Sequence, residues 1–253
     1  MHPVLFRFGN FSLYSYGLML FISFLVGIKL TSQRAKRFGV KEEVISNLAI
    51  YILFGAVAGS RLLYVLLHWD EFKNDLIGIF AFWRGGLGGL MFFGGLIGGL
   101  LSGLYYVKRK DLPLRKMFDA TSPALSLGEF FTRIGCFLNG CCFGKETTSP
   151  LGIKFPKSSP AGIFEKVYPT QLFSSLFGLL LFLFVLFLER RRLRLNLKDG
   201  SIFALTISLY ALFRFLIDYL RYFENPLNFL TNQIISLAFI LLGLGLFFRF
   251  QRG

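Results

Sequence analysis

The sequence predicts an all-α polytopic membrane protein with seven transmembrane helices, its amino terminus outside the cell and its carboxyl terminus in the cytoplasm. Three observations predict this class. First, the 253 residues are 54% hydrophobic with a mean hydropathy of +0.59, which is too apolar for an ordinary soluble domain. Second, seven stretches approach the length of about 20 apolar residues that spans a bilayer. Third, the segments between them alternate in charge.

The seven stretches follow one another with short connections. We expect the first to be retained as a helix, because Arg7 is the only strong positive charge before it and no small-residue cleavage site follows it. The predicted spans are residues 13–30, 44–67, 90–107, 117–137, 171–188, 201–220 and 229–248.

The connecting segments set the expected orientation. Basic clusters follow the first, third and fifth stretches and the carboxyl-terminal tail is basic, whereas acidic residues dominate near 70–75. The positive-inside rule therefore places the loop at about 139–170 on the outer face, and we expect residues 1–253 to form a single membrane-embedded domain. The net charge of +14 lies in short loops between apolar runs, which indicates contact with anionic membrane lipids and no nucleic-acid partner.

Residues 133–144, RIGCFLNGCCFG, form the densest group of candidate functional residues. They place Arg133, Asn139 and all three cysteines of the chain at one helix-to-loop junction. An arginine left at bilayer depth without a partner costs roughly 3 kcal/mol or more. We therefore expect Arg133 to reach lipid headgroups or an anionic ligand.

A second charged group lies in the sixth predicted span. Spacings of four and three residues put Arg214, Asp218 and Arg221 on one helical face, where the carboxylate can pair with either guanidinium. The group keeps a net positive charge, and guanidinium binds phosphate through two parallel hydrogen bonds. The set thus predicts a phospholipid phosphate site, with a structural ion pair that fixes helix register as the alternative.

Three other ionisable residues lie in or near the apolar stretches. For Arg61 the alternative to a binding role is that its side chain extends from the outer end of its helix toward water. We expect Asp119 to cap the amino terminus of the fourth helix. Glu129, two-thirds along that helix, has no such simple structural explanation.

Residues 83–103 hold nine glycines. At Gly98, Gly99 and Gly103 the spacing favours close helix packing. Over residues 85–95, consecutive Gly-Gly pairs after a tryptophan and an arginine favour an irregular or re-entrant backbone, which is tolerated at membrane depth where it is buried or lines a cavity.

The cysteines Cys136, Cys141 and Cys142 leave three interpretations open. Plain packing is the default, and an outer location permits a disulfide from Cys136 to either of the others. Three thiols without a nearby histidine are short of the four ligands of a structural zinc site, so we predict no metal and no cofactor. The two histidines, His2 and His68, have no serine motif near them.

These residues make the sequence similar to the bacterial phosphatidylglycerol–prolipoprotein diacylglyceryl transferases over nearly its whole length. The most specific match is RIGCFLNGCCFG, in which Arg133, Asn139 and Gly144 fall on positions of the family signature. The supporting matches are SYGLM at 15–19, GSRLLYV at 59–65, GGLMFFGGLIGG at 88–99, DATSPALSLG at 119–128, YPTQLF at 168–173 and FRFLIDYLR at 213–221.

The resemblance implies transfer of the sn-1,2-diacylglyceryl group from phosphatidylglycerol to the lipobox cysteine in the signal peptide of a prolipoprotein, with release of glycerol 1-phosphate. It implies a multi-pass protein of the bacterial inner membrane whose active site faces the outer side. The thiol must become a thiolate to attack, and arginines can stabilise the anionic leaving group.

The resemblance also implies roles for residues. Arg133 and Arg214 would bind the lipid headgroup, and Asp218 and Arg221 would position them. The remaining residues expected to contact substrate are Tyr16, Asn139, Gly144, Gly94, Gly95 and Arg61.

Two positions depart from the family pattern. Phe93 stands where many members carry histidine, and Cys136 stands where many carry an asparagine. The base that activates the thiol is therefore left open between Glu129, Asp218 and an arginine-stabilised thiolate without a dedicated base; between two arginines, Asp218 would be a weak base. The alternatives to a transferase are an inactive lipid-binding homologue and an anion or lipid transporter, for which buried arginines are also expected.

Overall fold

The computed structural model describes residues 4–8, 11–73, 76–79, 90–157 and 159–252, and it is 74% helical. The strands are β1 (Val4–Phe8) and β2 (Phe11–Tyr14), and the helices are α1 (Ser15–Ala35), α2 (Glu42–Leu67), α3 (Trp69–Phe72), α4 (Phe92–Arg109), α5 (Leu114–Asn139), α6 (Thr170–Arg191), α7 (Ser201–Ile217) and α8 (Pro226–Arg252). Each of the seven predicted spans coincides with one of the long helices. The antiparallel hairpin of β1 and β2 was not predicted.

The surface of the long helices is apolar. Among the described residues, four helical segments are long and apolar enough to cross a membrane: Ser15–Phe38, Glu42–Leu67, Thr170–Arg191 and Pro226–Arg252. Large side chains on them point outward; Phe54 is 71% exposed and Leu241 70%. Such contiguous apolar surface fits lipid tails and does not suit water. The prediction of an all-α membrane protein is confirmed.

The chain forms two compact units. The first comprises residues 1–31 and 115–253, and the second comprises residues 32–114. The first unit contains the hairpin, most of α1 and helices α5 to α8, whereas the second contains α2, α3 and α4.

Glycines bring α2 and α4 of the second unit into backbone contact. A Cβ atom added at Gly98 would overlap the Gly55 carbonyl oxygen, and one added at Gly59 would overlap the Gly94 carbonyl oxygen. The predicted helix packing is confirmed for Gly98. For Gly94 and its neighbour Gly95 the expected irregular backbone is wrong, because α4 begins at Phe92 and these glycines serve close helix approach. Residues 80–89, like His2, lie outside the described residues.

Replacing Gly98 with alanine should therefore separate α2 from α4. Overpacking of this kind typically lowers the free energy of unfolding by about 1–3 kcal/mol. We therefore expect a lower midpoint of thermal unfolding in detergent. The matched control is Gly245→Ala in α8, where an added Cβ meets no atom within 4 Å. Equal midpoints for the two variants would contradict this account of the packing.

Asp119 joins α5 to α7 in the first unit. Its carboxylate accepts hydrogen bonds from the backbone N–H groups of Gly200 at 2.8 Å and Phe203 at 3.0 Å, and it lies 3.3 Å from Arg192 Nη1. The expected cap of its own helix is wrong, because α5 begins at Leu114 and Asp119 lies in its interior. Asp119 caps the amino terminus of α7 instead, where a negative charge also suits the helix dipole.

An Asp119→Ala substitution should leave the backbone N–H groups of Gly200 and Phe203 without their acceptor and remove one of the carboxylates that pair with Arg192. We expect a loss of about 1–3 kcal/mol in the free energy of unfolding, measured by thermal or denaturant unfolding. The control is Asp70→Ala, because the Asp70 side chain is 91% exposed and pairs only at the surface with Lys73. A loss at Asp119 no larger than that at Asp70 would refute the capping role.

The loop between α5 and α6 has a small hydrophobic core of its own. Phe143, Phe155, Ala161 and Val167 are buried together in it, and the Phe143 ring stacks on Tyr222 with centroids 5.6 Å apart. The loop is thereby packed against the segment that follows α7.

Candidate functional site

Gly144 attaches the loop after α5 to the segment after α7. Its N–H donates to the Tyr168 carbonyl at 2.9 Å, and the next N–H, of Lys145, donates to the Leu220 carbonyl at 2.8 Å. A Cβ atom at Gly144 would lie 2.7 Å from the Leu220 oxygen, so this close approach requires glycine. The last glycine of the 133–144 motif thus lies beside Arg221, with which it forms an antiparallel bridge.

Two arginines share one buried carboxylate next to this junction. Asp218 Oδ1 lies 3.1 Å from Arg214 Nη2 and 3.3 Å from Arg221 Nη1. Asp218 is fully buried, and each arginine side chain is 15% exposed. The predicted pairing is confirmed for both arginines, although the helix expected to reach residue 220 ends at Ile217 and Arg221 lies beyond it.

Each of these arginines keeps a buried donor group without a partner. Within the described part of the chain, Arg214 Nη1 and Arg221 Nε have no hydrogen-bond acceptor. A buried donor left unsatisfied costs about 1–3 kcal/mol, more when it is charged. Two positive charges on one carboxylate leave a net charge of +1, so the arrangement favours an anion that can accept from both nitrogens.

Arg133 forms a separate, largely buried ion pair on α5. Its Nε donates to Glu129 Oε1 at 2.7 Å, with side chains 14% and 13% exposed, and the Tyr210 hydroxyl donates to Glu129 Oε2 at 3.4 Å. Arg133 interacts electrostatically with Arg214. The three arginines therefore form one positively charged region, held by Glu129 and Asp218.

Tyr16 and Asn139 lie close to this region. A Cβ atom at Gly135 would lie 3.2 Å from the Tyr16 Cα, so Tyr16 packs on α5 two residues from Arg133. Asn139 is the last residue of α5, and its side chain lies near the Cys141 thiol.

The other predicted substrate contacts belong to the second unit. Arg61 on α2 donates to the carbonyl of Gly78 at 2.7 Å and to that of Ile79 at 2.9 Å, and its guanidinium lies 5.1 Å from the centre of the Phe72 ring. It is 9% exposed, so the alternative in which its side chain extends into water is wrong. A role for Arg61, Gly94 and Gly95 in substrate binding stays a prediction.

A pocket of about 430 Å³ opens beside Arg221. Its other lining residues are Lys145, Tyr222, Phe223, Pro226 and Phe229. Arg221 and Lys145 give it positive charge, and three aromatic rings give it apolar walls. Sequence reasoning missed Lys145, although its position directly after the last glycine of the motif was a usable signal.

The three cysteines lie together at the end of α5. The Cys141 N–H bonds to the Cys136 carbonyl and the Gly140 N–H to the Phe137 carbonyl, both at 3.2 Å, with Gly140 in the left-handed region at φ 73°. This is the glycine-dependent Schellman cap of a helix. All three cysteines are free thiols, so the disulfide alternative is not what the structure shows.

The thiol of Cys142 lies in a strongly ionising environment. Its pKa is lowered from the usual value because the Cys136 and Cys141 thiols hydrogen-bond to it and because Arg221 and Arg133 lie nearby. The neighbouring thiols, and after them the two arginines, therefore favour a thiolate at Cys142.

Comparison with known proteins adds an independent observation. The family model described as prolipoprotein diacylglyceryl transferase matches residues 3–249. The chain is 35% identical to a phosphatidylglycerol–prolipoprotein diacylglyceryl transferase of Clostridium tetani over 98% of this chain and 97% of that protein. It is 34% identical to one from Trichormus variabilis over 96% and 87%, and 33% identical to transferase 2 of Clostridium perfringens over 96% and 93%.

Proposed function

This chain belongs to the prolipoprotein diacylglyceryl transferase family, and on that premise we propose how its residues perform the reaction. The enzyme transfers the diacylglyceryl group of phosphatidylglycerol to a prolipoprotein. The acceptor is the lipobox cysteine thiol of the signal peptide. The thiol proton passes to water, the sulfur bonds to the glycerol carbon that carries the phosphate ester, the C–O bond breaks, and glycerol 1-phosphate leaves with the electron pair.

The pair of unpartnered buried donors on Arg214 and Arg221 carries this proposal. Each guanidinium donates to the Asp218 carboxylate and has one further N–H that can donate to the substrate. A phosphate diester offers two anionic oxygens, which accept charge-assisted hydrogen bonds from both. As the C–O bond breaks, negative charge grows on the same phosphate, so these bonds strengthen toward the transition state.

The surroundings suit the rest of the lipid. Arg133 adds positive charge near the headgroup, and Tyr16, Asn139 and Gly144 shape the adjoining wall. The pocket lined by Lys145 and aromatic rings combines charge with apolar surface, as a phospholipid headgroup with its first acyl carbons requires.

The contacts of the acidic residues bear on how the thiol is activated. Glu129 pairs with Arg133, and Asp218 pairs with two arginines. Both carboxylates already accept hydrogen bonds from arginine, so neither is free to take a proton from an incoming thiol. The geometry therefore favours a substrate thiolate stabilised by arginine over a dedicated carboxylate base, which also suits Phe93 in place of histidine.

We place the enzyme in the bacterial inner membrane as one membrane-embedded domain, with α1, α2 and α4 to α8 as seven spans. The amino terminus and the loop at about 139–170 face outward, and the carboxyl terminus faces the cytoplasm. The alternation of charge between spans supports this orientation.

The test is transfer of labelled diacylglycerol from phosphatidylglycerol to a lipobox peptide by the purified protein. We expect transfer by wild type, its loss in Arg133→Ala and Arg214→Ala, and its retention in Arg109→Ala, an exposed arginine at the end of α4. Phosphatidylglycerol binding without transfer by folded wild type, beside an active homologue, would instead identify an inactive lipid-binding protein. Passage of an anion or lipid across liposomes without transfer would identify a transporter.

A further inference from the structure

The cysteines Cys136, Cys141 and Cys142 place their Sγ atoms within 4.8 Å of one another. They are the only three cysteines in the chain, and nothing in the transfer reaction uses them. We propose that they form a tris-thiolate binding site for one soft metal cation of the Zn²⁺, Cd²⁺ or Cu⁺ class.

The backbone holds the three sulfur atoms together. The glycine cap at Gly140 returns the chain so that Cys141 bonds back to Cys136, and Cys142 adopts φ 60°. A left-handed conformation is uncommon for a residue with a Cβ atom and persists only where the surroundings impose it. This strained residue contributes the third thiol to the cluster.

The distances between the three sulfur atoms suit a metal ion after only small movements of the cysteine side chains. Three sulfur atoms bound at about 2.3 Å in trigonal or tetrahedral geometry lie roughly 3.8–4.0 Å apart. The observed upper limit of 4.8 Å requires only side-chain rotation to close. The lack of a fourth protein ligand, on which the sequence prediction of no metal rests, does not exclude this site: three thiolates suffice for a soft monovalent cation, and a divalent cation can take water as its fourth ligand.

Positive charge lies next to the cluster. Cys142 interacts electrostatically with Arg221 and Arg133, and these charges would offset the negative charge of a metal–thiolate group. Gln171 Nε2 donates to the Cys141 carbonyl at 2.8 Å and Thr170 Oγ1 to the Cys142 carbonyl at 3.0 Å. These bonds fix the loop in the way that outer contacts orient metal ligands.

Titration of the full-length protein with Cd²⁺ in detergent and under reducing conditions tests the site. We expect a thiolate-to-metal charge-transfer absorption that saturates at one Cd²⁺ per chain with the intensity of three thiolates. Excess Mg²⁺ should not displace the ion, because it prefers oxygen ligands. Cys141→Ser and Cys142→Ser should each weaken binding by at least about tenfold, whereas Ser149→Ala in the same loop should not.

The proposal would be overturned if the reduced, folded wild type gave no charge-transfer band, or gave a band with the intensity of only one or two thiolates. A band that both cysteine substitutions leave unchanged would also overturn it. Formation of a disulfide under mild oxidation, without metal binding in the reduced state, would assign the cluster to redox chemistry instead. Because the readout does not use transfer, it is independent of the proposed transferase mechanism.

Discussion

Replacing Arg214 with lysine is expected to lower kcat/KM for phosphatidylglycerol by about 100- to 1,000-fold, the usual effect of losing one hydrogen bond to transition-state charge. Lysine keeps the positive charge, but it is a point donor that cannot hold Asp218 with one nitrogen and phosphate with another. Since the lost bond strengthens as the leaving group forms, the loss should fall mainly on kcat. Steady-state transfer kinetics at varied phosphatidylglycerol concentrations measure both constants.

The matched control for this substitution is Arg249→Lys in the exposed carboxyl-terminal turn of α8, which should leave both constants unchanged. Thermal unfolding of both variants separates a kinetic defect from misfolding. If a folded Arg214→Lys variant kept wild-type kcat/KM, the two separate donor nitrogens of the guanidinium would have no part in catalysis.

The second large effect is expected at Glu129. Glu129→Ala leaves the buried Arg133 guanidinium without its carboxylate, and removing one partner of a buried ion pair typically destabilises by about 3–5 kcal/mol. We expect the midpoint of thermal unfolding to fall and transfer to be lost with it.

A double variant distinguishes the structural part of this effect from the functional part. Combining Glu129→Gln with Arg133→Gln removes both charges while keeping hydrogen-bonding side chains, so most of the stability should return. Transfer should stay absent, because the charge near the headgroup is gone. Recovery of transfer together with stability would mean that Arg133 serves the fold alone.

Local pattern was enough to find the long helices and the central ion pairs. Apolar runs located the seven long helices, and four helical segments of the described chain are long and apolar enough to cross a membrane. Spacings of four and three brought Arg214, Asp218 and Arg221 together because neighbours at those spacings share a helical face. Arg221 lies next to Asp218 even though the helix ends before it, because its segment bridges to Gly144.

Contacts between distant segments were beyond sequence reasoning. Asp119 caps a helix that begins 82 residues later in the chain, and no local pattern encodes that partner. The pocket position of Lys145 likewise depends on how its loop meets the segment after α7. By contrast, the amino-terminal hairpin had a local signal, because Gly9 and Asn10 separate two short runs rich in strand-forming residues.

The glycines show the same difference between local features that the sequence predicts and distant partners that it does not. The pattern of small residues predicted close approach of α4 to another helix, but it could not identify Gly55 and Gly59 of α2 as the partners. For Gly144 the sequence indicated a signature position without a reason. The structure supplies one, since a side chain there would meet the Leu220 carbonyl.

The central claim is that two buried arginines hold the phosphate of phosphatidylglycerol. The most direct measurement is the position of that phosphate in an experimental structure of the protein in a bilayer containing phosphatidylglycerol. We predict phosphate oxygens at about 2.7–2.9 Å from Arg214 Nη1 and Arg221 Nε. A phosphate bound elsewhere, with both nitrogens bonded to protein groups, would contradict the claim.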